Sequence, residues 1–486
     1  MMNYFYYDSR IKYPNGPTYG PDTEYPECPF QEDLMQGDEN YVYRSLRESF
    51  FNMGMDAVNY GTSKWNPFGE WIVPGDIVLI KPNMVMDHNP AEKDLLRGME
   101  CTVTHPSIVR TVFDYVVIAL KGKGTIIIAD APVQGCDFEK MKKNSGYDTL
   151  FEFIRAKIPS GIELVTGDFR ETIFQINGND VSQNDNLDSI YRGQIINIGD
   201  ESYFARYEGT DRLRVTDYDG TETVKHHTDG KNEYCFNLGA LKANVVLNLC
   251  KPKTHRIAGY TGAMKNIIGM NARKEYLPHH TKGCKSKGGD EYSDGHLLVK
   301  KINSDMNDLK NASLKTKRNR LWWMFNRFAA KAGRYLDKKE KNRNKFGMWY
   351  GNDTIWRTIL DINNIITYYD EFGARHDTPI RKIINIGDMI VSGEKEGPLQ
   401  PSYKYVGGIL ISDNAVAFDY ILVRLMGFDP RLLPTLSNAM KDERLLRRHS
   451  LYTYSNDERF CGNPDEFKMN FSFVPTAGWN DVLGKG

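Results

Sequence analysis

PGDIVLIKPN, at residues 74–83, decides the fold class. A Pro-Gly-Asp turn leads into the continuous apolar run 77–80, which is typical of a strand buried on both faces. A helix is expected next, with Thr104 as its cap and Pro106 in its first turn. A second apolar strand follows at residues 125–129. This strand–helix–strand order predicts a parallel sheet with a right-handed crossover.

Further apolar segments extend this pattern along the chain. VVLNL at residues 245–249 predicts a third buried strand, and residues 383–386 and 408–411 predict two more. Residues 416–426 have the spacing of a helix. We therefore predict an α/β protein with a Rossmann-like parallel sheet core, a β-rich insertion and a basic helical insertion.

Composition divides the chain into consecutive parts. They are an irregular N-terminal arm (1–40), the first half of the α/β core (41–160), a β-rich insertion (161–236), core with a glycine-rich site loop (237–296), a basic aromatic helical insertion (297–346) and the C-terminal part of the core (347–486). The arm is rich in proline, glycine and tyrosine, and we expect its aromatic side chains to pack on the body.

Composition also excludes several classes of protein. The chain has 486 residues, of which 40% are hydrophobic and 26% charged, so it is neither disordered nor collagen-like. No apolar run reaches the ~18 residues of a membrane-spanning helix. The seven cysteines form no CxxC pair, which argues against a zinc ribbon or an iron–sulfur cluster and favours a reducing cytoplasm. A net charge of zero excludes global attraction to nucleic acid, and no nucleic-acid partner is expected.

The most informative stretch for function is KTHRIAGYTGAMKNIIG, residues 253–269. It directly follows a buried strand, and ligands of open α/β sheets bind beyond the carboxyl ends of strands. Gly259 and Gly262 would let backbone N–H groups approach an anion, and a helix starting near Gly262 would add its positive end. Positive charge and a titratable group come from Lys253, Arg256, Lys265 and His255. The stretch predicts a phosphate or carboxylate site with a proton-transfer group; the alternative is a glycine-rich connector with solvated lysines.

Two other strand ends are expected to face the same crevice. Lys81 and Asn83 offer a cation and an amide after the first strand. Asp130 offers a carboxylate at the tip of the second strand, or else caps a turn there. His105, at the predicted helix start, is either an anion ligand or a capping residue.

A metal site is a further candidate. His279 and His280 lie a short way downstream of Lys265, and one of them could bind a metal as a neutral imidazole. No local spacing matches a zinc motif, so an exposed pair of histidines in a loop is the alternative.

Charge is distributed unevenly along the chain. Residues 297–346 contain 15 Lys or Arg and 4 Asp or Glu, a balance of +11, against −11 for the remainder. Within them, residues 317–336 carry aromatic and aliphatic side chains at helical spacing. This segment either packs on the body, lies on an anionic membrane surface, or binds nucleic acid, which nothing else in the sequence supports.

Several of these stretches together resemble the "domain of unknown function 362" family. The motifs span roughly residues 42–432 in the order of the family: PGDIVLIKPN, Thr104-His105-Pro106, IADAP at 128–132, residues 251–269, DIN at 361–363, the Glu394 to Pro398 segment and SDNAVAFD at 412–419. Many members carry an iron–sulfur ferredoxin module, which the cysteine spacing here cannot supply. Some members are similar to proteins found with bacterial surface-polysaccharide genes, which implies that area of metabolism.

The His-x-x-x-Gly-x-x-Gly-x-x-Lys spacing from His255 to Lys265 more distantly resembles the nickel-pincer lactate racemases. That resemblance implies His255 as acid/base, Lys265 as anchor of a nickel-pincer nucleotide, and His280 or His279 as nickel ligand. The second acid/base histidine of that family has no counterpart, because Asp130 occupies its place, so the alternatives are a one-base hydride or proton transfer, or a site with no nickel.

These observations lead to two functional hypotheses. The first is a cytoplasmic enzyme acting on a small anionic substrate by a redox or isomerising reaction. The second is a non-catalytic phosphate-binding or accessory protein at the inner face of an anionic membrane, held there by residues 317–336. The predicted catalytic residues are His255, Lys265 and Asp130. The predicted cofactor-binding residues are Lys81, Asn83, Lys253, Thr254, Gly259, Thr261, Gly262 and Asn266, and the predicted metal ligands are His280 and His279.

Overall fold

The computed structural model describes residues 2–35, 39–177, 180–294, 297–313 and 345–484. Its strands are β1 (Asn3–Tyr7), β2 (Ile77–Pro82), β3 (Gly124–Asp130), β4 (Ile162–Asp168), β5 (Thr172–Asn177), β6 (Asp180–Asp185), β7 (Gly193–Asn197), β8 (Leu213–Arg214), β9 (Glu233–Asn237), β10 (Val245–Cys250), β11 (Lys253–His255), β12 (Gly259–Thr261), β13 (His280–Thr281), β14 (Lys382–Glu396), β15 (Gln400–Ser412) and β16 (Thr453–Ser455). Its α-helices are α1 (Tyr41–Asn52), α2 (Leu95–Glu100), α3 (Pro106–Leu120), α4 (Phe138–Ser145), α5 (Tyr147–Lys157), α6 (Gly220–Lys225), α7 (Leu238–Lys242), α8 (Ala263–Asn266), α9 (Leu297–Ser313), α10 (Ile355–Tyr368), α11 (Ala415–Met426), α12 (Pro434–Ala439), α13 (Glu443–Leu446) and α14 (Asn480–Leu483).

One large mixed sheet organises the fold. Its strand order is β16-β1-β15-β14-β10-β2-β3-β4, and β11 and β12 join it beside β14. The run from β4 to β14 is parallel throughout, as the strand–helix–strand pattern predicts. Strand β15 is antiparallel to β14, and β1 is antiparallel to β15. The predicted α/β class is confirmed, with antiparallel strands added at one side of the parallel core.

Successive side chains of the apolar strands pack into two different hydrophobic cores, because both faces of the sheet are covered. In β2, Val78 and Ile80 pack with α1 and α3 on one face, whereas Leu79 packs with α7 and α10 on the other. All six residues of β10 are buried. A strand covered on both sides needs apolar residues at successive positions, which explains the continuous runs.

The residue that caps helix α3 lies one position after Thr104, the predicted cap. Its N-cap is His105, whose ring Nδ1 accepts a hydrogen bond from the Ser107 N–H (3.2 Å). The Thr104 hydroxyl instead donates to the Leu249 carbonyl (2.8 Å) and accepts the Asn83 N–H (2.9 Å). Thr104 therefore ties together the ends of β2 and β10 and is not free to cap the helix.

The N-terminal segment is more ordered than its composition suggests. Residues 3–7, within the arm predicted to be irregular, form β1, because their aromatic run suits a strand between β15 and β16. After β1 the described arm residues contain no helix or strand, and Tyr13, Tyr19 and Phe30 are buried against the body.

Residues 161–236 begin with a strand of the main sheet. Strand β4 pairs in parallel with β3 over its whole length. Beyond it, β5 with β6 and β7 with β9 form separate two-stranded antiparallel sheets, and β8 pairs with β13.

The predicted basic aromatic helix at 317–336 lies outside the described residues. Among the helices that are described, none has the length and apolar character needed to cross a lipid bilayer. All seven cysteines are free thiols, and only Cys461 is exposed.

We predict that Tyr13 fixes the arm to the sheet. Its hydroxyl donates to Asp388 (2.6 Å) and accepts from Lys251 (2.7 Å), and all three side chains are buried. Tyr13→Phe should lower the free energy of unfolding in urea by about 1–3 kcal/mol, because it leaves buried charged groups short of a partner. Tyr454→Phe, at a side chain 48% exposed, is the control and should change it by less than about 0.5 kcal/mol. Equal effects of the two substitutions would contradict this role.

Candidate functional site

The predicted groups at the carboxyl ends of β2 and β3 meet in a buried ion pair. Lys81 Nζ lies 2.7 Å from Asp130 Oδ1 and donates a further hydrogen bond to Asn266 Oδ1 (3.2 Å). Both partners of the ion pair are almost fully buried. Burial lowers the pKa of Lys81, and the Asp130 carboxylate opposes that shift.

A chain of hydrogen bonds connects this ion pair to Lys253. Asn83 Nδ2 donates to the same Asn266 oxygen (2.9 Å), and Asn83 Oδ1 accepts from Lys253 Nζ (3.0 Å). Lys253 also donates to the Thr102 carbonyl. The structure thus brings together Asp130, Lys81, Asn266, Asn83 and Lys253, five of the residues predicted for the site.

Two asparagines that the sequence did not single out continue this chain across the sheet. Asn266 Nδ2 donates to Asn248 Oδ1 (2.8 Å), and Asn248 Nδ2 donates to Asn385 Oδ1 (2.8 Å). In the strand register Asn248 lies between Lys81 and Asn385. The signal available in the sequence was one amide inside each of two apolar runs, Asn248 in 245–249 and Asn385 in 383–386.

The β11–β12 hairpin sorts its predicted residues onto two faces. Lys253 pairs with Thr261 and His255 with Gly259, so Lys253, His255 and Thr261 share one face. The Thr261 hydroxyl is buried and has no hydrogen-bond partner among the described residues. Thr254 belongs to the opposite face, where its hydroxyl donates to the Lys395 carbonyl (2.7 Å).

His255 is held by the backbone that follows it. Its Nδ1 accepts N–H bonds from Ile257 (3.0 Å) and Ala258 (3.2 Å), which leaves Nε2 for other contacts. Burial holds the pKa of His255 well below its ordinary value, and the nearby Lys265 charge adds to this shift.

The three lysines within residues 253–274 have no carboxylate partner. In the described residues, no Asp or Glu oxygen lies within 4 Å of Lys253, Lys265 or Lys274. Burial lowers the pKa of each to about 7, and for Lys253 the neighbouring Lys251 adds to the effect.

The three lysines differ in their remaining contacts. Lys274, which the sequence did not indicate, donates to the Ile268 carbonyl (2.8 Å). Lys265 is partly exposed and has no hydrogen-bond partner in the described chain. All three N–H donors of the Lys265 ammonium are therefore available to a bound molecule, and its partial exposure makes it the most accessible of the three.

The helix start that follows the glycine-rich loop is occupied by a carboxylate of the protein. The N–H groups of Ala263 and Met264, at the start of α8, donate to the Asp419 carboxylate (2.6 and 3.2 Å). A Cβ at Gly262 would overlap Asp419 Oδ1, and one at Gly259, where φ is +83°, would overlap Leu433. These glycines allow close internal packing, and a carboxylate of the protein itself occupies the helix end.

Asp130 is likewise engaged by the protein. Besides Lys81, its oxygens accept the N–H groups of Ala131 (2.9 Å) and Met84 (2.6 Å). This carboxylate thus serves as the buried counter-ion of Lys81 and holds the turn after β3.

The two predicted metal ligands lie in different surroundings. His279 Nδ1 lies 2.6 Å from the Leu277 carbonyl, and burial, followed by the charge of Lys265, lowers the pKa of His279 to about 3. His280 is paired with Arg214 across β13 and β8, with its ring 6.3 Å from that of Phe346. In the described chain, no three His, Cys, Asp or Glu side chains are grouped so that they could hold a metal ion.

Residues 78–172 and 198–424 match the family model described as Domain of unknown function (DUF362). The chain belongs to the DUF362 family. The matched ranges contain every residue predicted for the site, whereas the unmatched residues 173–197 include β6 and β7. No match was found among the curated proteins.

The nickel-pincer nucleotide implied by the lactate racemase resemblance stays a prediction. Lys265 Nζ and His279 Nε2 have no hydrogen-bond partner among the described residues, so these two atoms fit an anchor and a ligand. His280, the first-named ligand, lies beside Arg214 instead.

We predict that Asn248 and Asn385 contribute to stability as a pair. Asn248→Leu should lower the free energy of unfolding by about 2 kcal/mol, because it removes the 2.8 Å acceptor of Asn266 Nδ2 and the donor to Asn385 Oδ1, all within the buried sheet. In a double-mutant cycle with Asn385→Leu, the double variant should lose less than the sum of the single losses, with a coupling of about 0.5–3 kcal/mol. Additive losses in urea denaturation would show that the two amides act independently.

Proposed function

We propose that this protein is an enzyme that binds a small anionic substrate at the carboxyl ends of the parallel strands, with His255 as its proton-transfer group. The observation that carries the proposal is the set of three lysines, Lys253, Lys265 and Lys274, that have no carboxylate partner among the described residues. Neighbouring lysines in the same fold are paired, Lys81 with Asp130 and Lys251 with Asp388 (2.8 Å).

Electrostatics supports an anion as the missing partner. A buried ammonium without a counter-ion costs several kcal/mol, and this cost lowers the lysine pKa toward neutrality. A bound phosphate or carboxylate would stabilise the charged form of the lysines. Anion binding would therefore raise the pKa of the lysine that it contacts.

Two features support a reaction on a polar substrate beside Lys253. His255 presents Nε2 on the same hairpin face as Lys253, and the unpartnered Thr261 hydroxyl lies directly across from Lys253. A neutral imidazole beside a cationic anion site can transfer a proton during a redox or isomerising step. Involvement in surface-polysaccharide metabolism is a proposal that rests on the family resemblance alone.

We predict that Lys265 binds the anion in its protonated form. Sulfate is a suitable probe, because its charge does not change between about pH 5 and pH 9. Lys265→Met should weaken sulfate binding about tenfold or more in calorimetry, since it removes a charged partner. Lys225→Met is the matched control, because the Lys225 side chain is 65% exposed and pairs with Glu222.

The pH dependence gives an independent check of this assignment. The pKa of Lys265 is lowered to about 7 by burial, so the charged form dominates below that value. Sulfate affinity should be high at pH 6 and fall as the pH rises through about 7 and above. Binding that is equally strong at pH 6 and pH 9, or unaffected by Lys265→Met, would overturn the proposed anion site.

The alternative, an accessory protein on an anionic membrane, depends on residues 317–336. We predict that the intact chain floats with liposomes containing anionic lipid and not with neutral liposomes, because each Lys or Arg near such a surface contributes about 1 kcal/mol. A variant with Lys317, Arg318, Arg320 and Arg327 changed to Gln should float less. Equal flotation of both proteins on anionic liposomes would exclude this segment as the membrane contact.

A further inference from the structure

A cavity lies between the sheet and α10. It encloses about 420 Å³, its opening to solvent included, and is lined by α8, α10, the start of β14, the turn into α11 and the turn after α13. Asn385 forms part of its wall, but that amide already accepts from Asn248 and donates to the Ser412 carbonyl (3.1 Å). Unpaired polar groups in the lining come from other residues.

Arg447 supplies the positive charge of the lining. Its guanidinium forms one long hydrogen bond, from Nη2 to the Asp413 carbonyl (3.4 Å). In the described chain no Asp or Glu oxygen lies within 4 Å of it, whereas the neighbouring Arg444 pairs with Asp442 (2.8 Å). The remaining N–H donors of Arg447 are therefore available to a molecule in the cavity.

The start of α11 adds an unpaired amide to the same lining. The N–H groups of Val416 and Ala417 donate to Asn414 Oδ1 (both 3.0 Å), but no described residue accepts from the N–H of Ala415, which also lines the cavity. Helix α11 has 12 residues, so its N-terminus carries a partial positive charge. A helix start and an arginine together suit a carboxylate.

Two acceptors in the lining have no hydrogen-bond donor. Asn363 is only 5% exposed; its Nδ2 donates to the carbonyls of Met264 (2.9 Å) and Ile359 (2.7 Å), and its Oδ1 accepts from no described residue. The Asp413 carboxylate accepts no hydrogen bond in the described chain either, and its nearest cation is His449, whose Nε2 lies 3.5 Å from Oδ1. A carboxylate and an amide oxygen together suit an ammonium group.

We propose that this cavity is a second binding site, which takes a small amino acid such as alanine. The carboxylate of the amino acid contacts Arg447 and the Ala415 N–H, and its ammonium group contacts Asp413 and Asn363 Oδ1. Aliphatic side chains complete the lining and suit a short apolar side chain: Ile267, Ile383, Val416 and Leu445. The inference goes beyond the proposed function and does not depend on it.

Alanine, propionate and ethylamine separate the two charges. Propionate lacks the ammonium group of alanine, and ethylamine lacks its carboxylate. In calorimetry alanine should bind about tenfold or more tightly than either, as expected for one additional hydrogen-bonded charge. Alanine that binds no more tightly than propionate, or that does not bind at all, would overturn the proposal.

Two variants test the two contacts. Arg447→Met should weaken both alanine and propionate about tenfold, whereas Asp413→Asn should weaken alanine and leave propionate unchanged. Arg448→Met is the matched control, because Arg448 is exposed and follows Arg447 in the chain. Unchanged melting temperatures would show that the variants are folded.

Lys265→Met distinguishes this site from the proposed anion site. It should leave alanine affinity unchanged, because Lys265 does not line the cavity. Alanine binding that is lost in Lys265→Met and kept in Arg447→Met would place the amino acid at the other site and contradict this inference.

Hydrogen exchange tests the site in the unmodified chain. Since the Ala415 N–H has no acceptor among the described residues, its exchange should slow about tenfold or more when alanine is saturating. Propionate at the same concentration should protect it less. If exchange at Ala415 is unchanged in a sample that calorimetry shows to hold alanine, the assigned carboxylate contact is wrong.

Discussion

The ion pair between Lys81 and Asp130 is the constraint on which this end of the molecule depends. A lysine at the end of a strand that is covered on both faces keeps its charge more readily when a carboxylate lies beside it. The pair also determines what can pack against it. A Cβ at Gly269 would overlap Asp130 Oδ1 and crowd Lys81 Nζ, so the last glycine of the loop after β12 is required by the ion pair. The turn that follows α8, the helix that carries Lys265 and Asn266, thus packs directly on this ion pair.

From that pair the site extends through amides rather than further charges. Asn266 accepts from both Lys81 and Asn83, and Asn83 in turn accepts from Lys253. An amide oxygen can accept from a lysine without neutralising it. The chain therefore positions Lys253 precisely enough for hydrogen bonding and leaves its charge uncompensated. Within one hydrogen-bond network, Lys81 therefore has a counter-ion and Lys253 has none.

Features that depend on residues close together in the chain could be predicted from the sequence. Apolar runs such as 77–80 and 245–249 indicate buried strands because burial on both faces requires them. Because the carboxyl ends of parallel strands meet at one edge of a sheet, Lys81, Asp130 and Lys253 could also be predicted to lie close together. The role of the glycines could not be predicted, because Asp419, which occupies the start of α8, lies 156 residues beyond Ala263. Lys274 could not be predicted as part of the site either, because its lack of a carboxylate partner is a property of the folded chain.

Asp419 also determines how an anion could be recognised here. In sites built from a glycine loop and a helix start, backbone N–H groups bind the anion, and these do not titrate. In this protein a carboxylate already fills the helix start, and burial raises the pKa of Asp419 to about 7 against the lowering effect of its hydrogen bonds. Under the proposed function, recognition would come from side chains, and the lysines here have a pKa that burial has lowered to about 7. The proposed anion site would gain its charge from protonation of these lysines, so its affinity would depend on pH, whereas that of a backbone site would not.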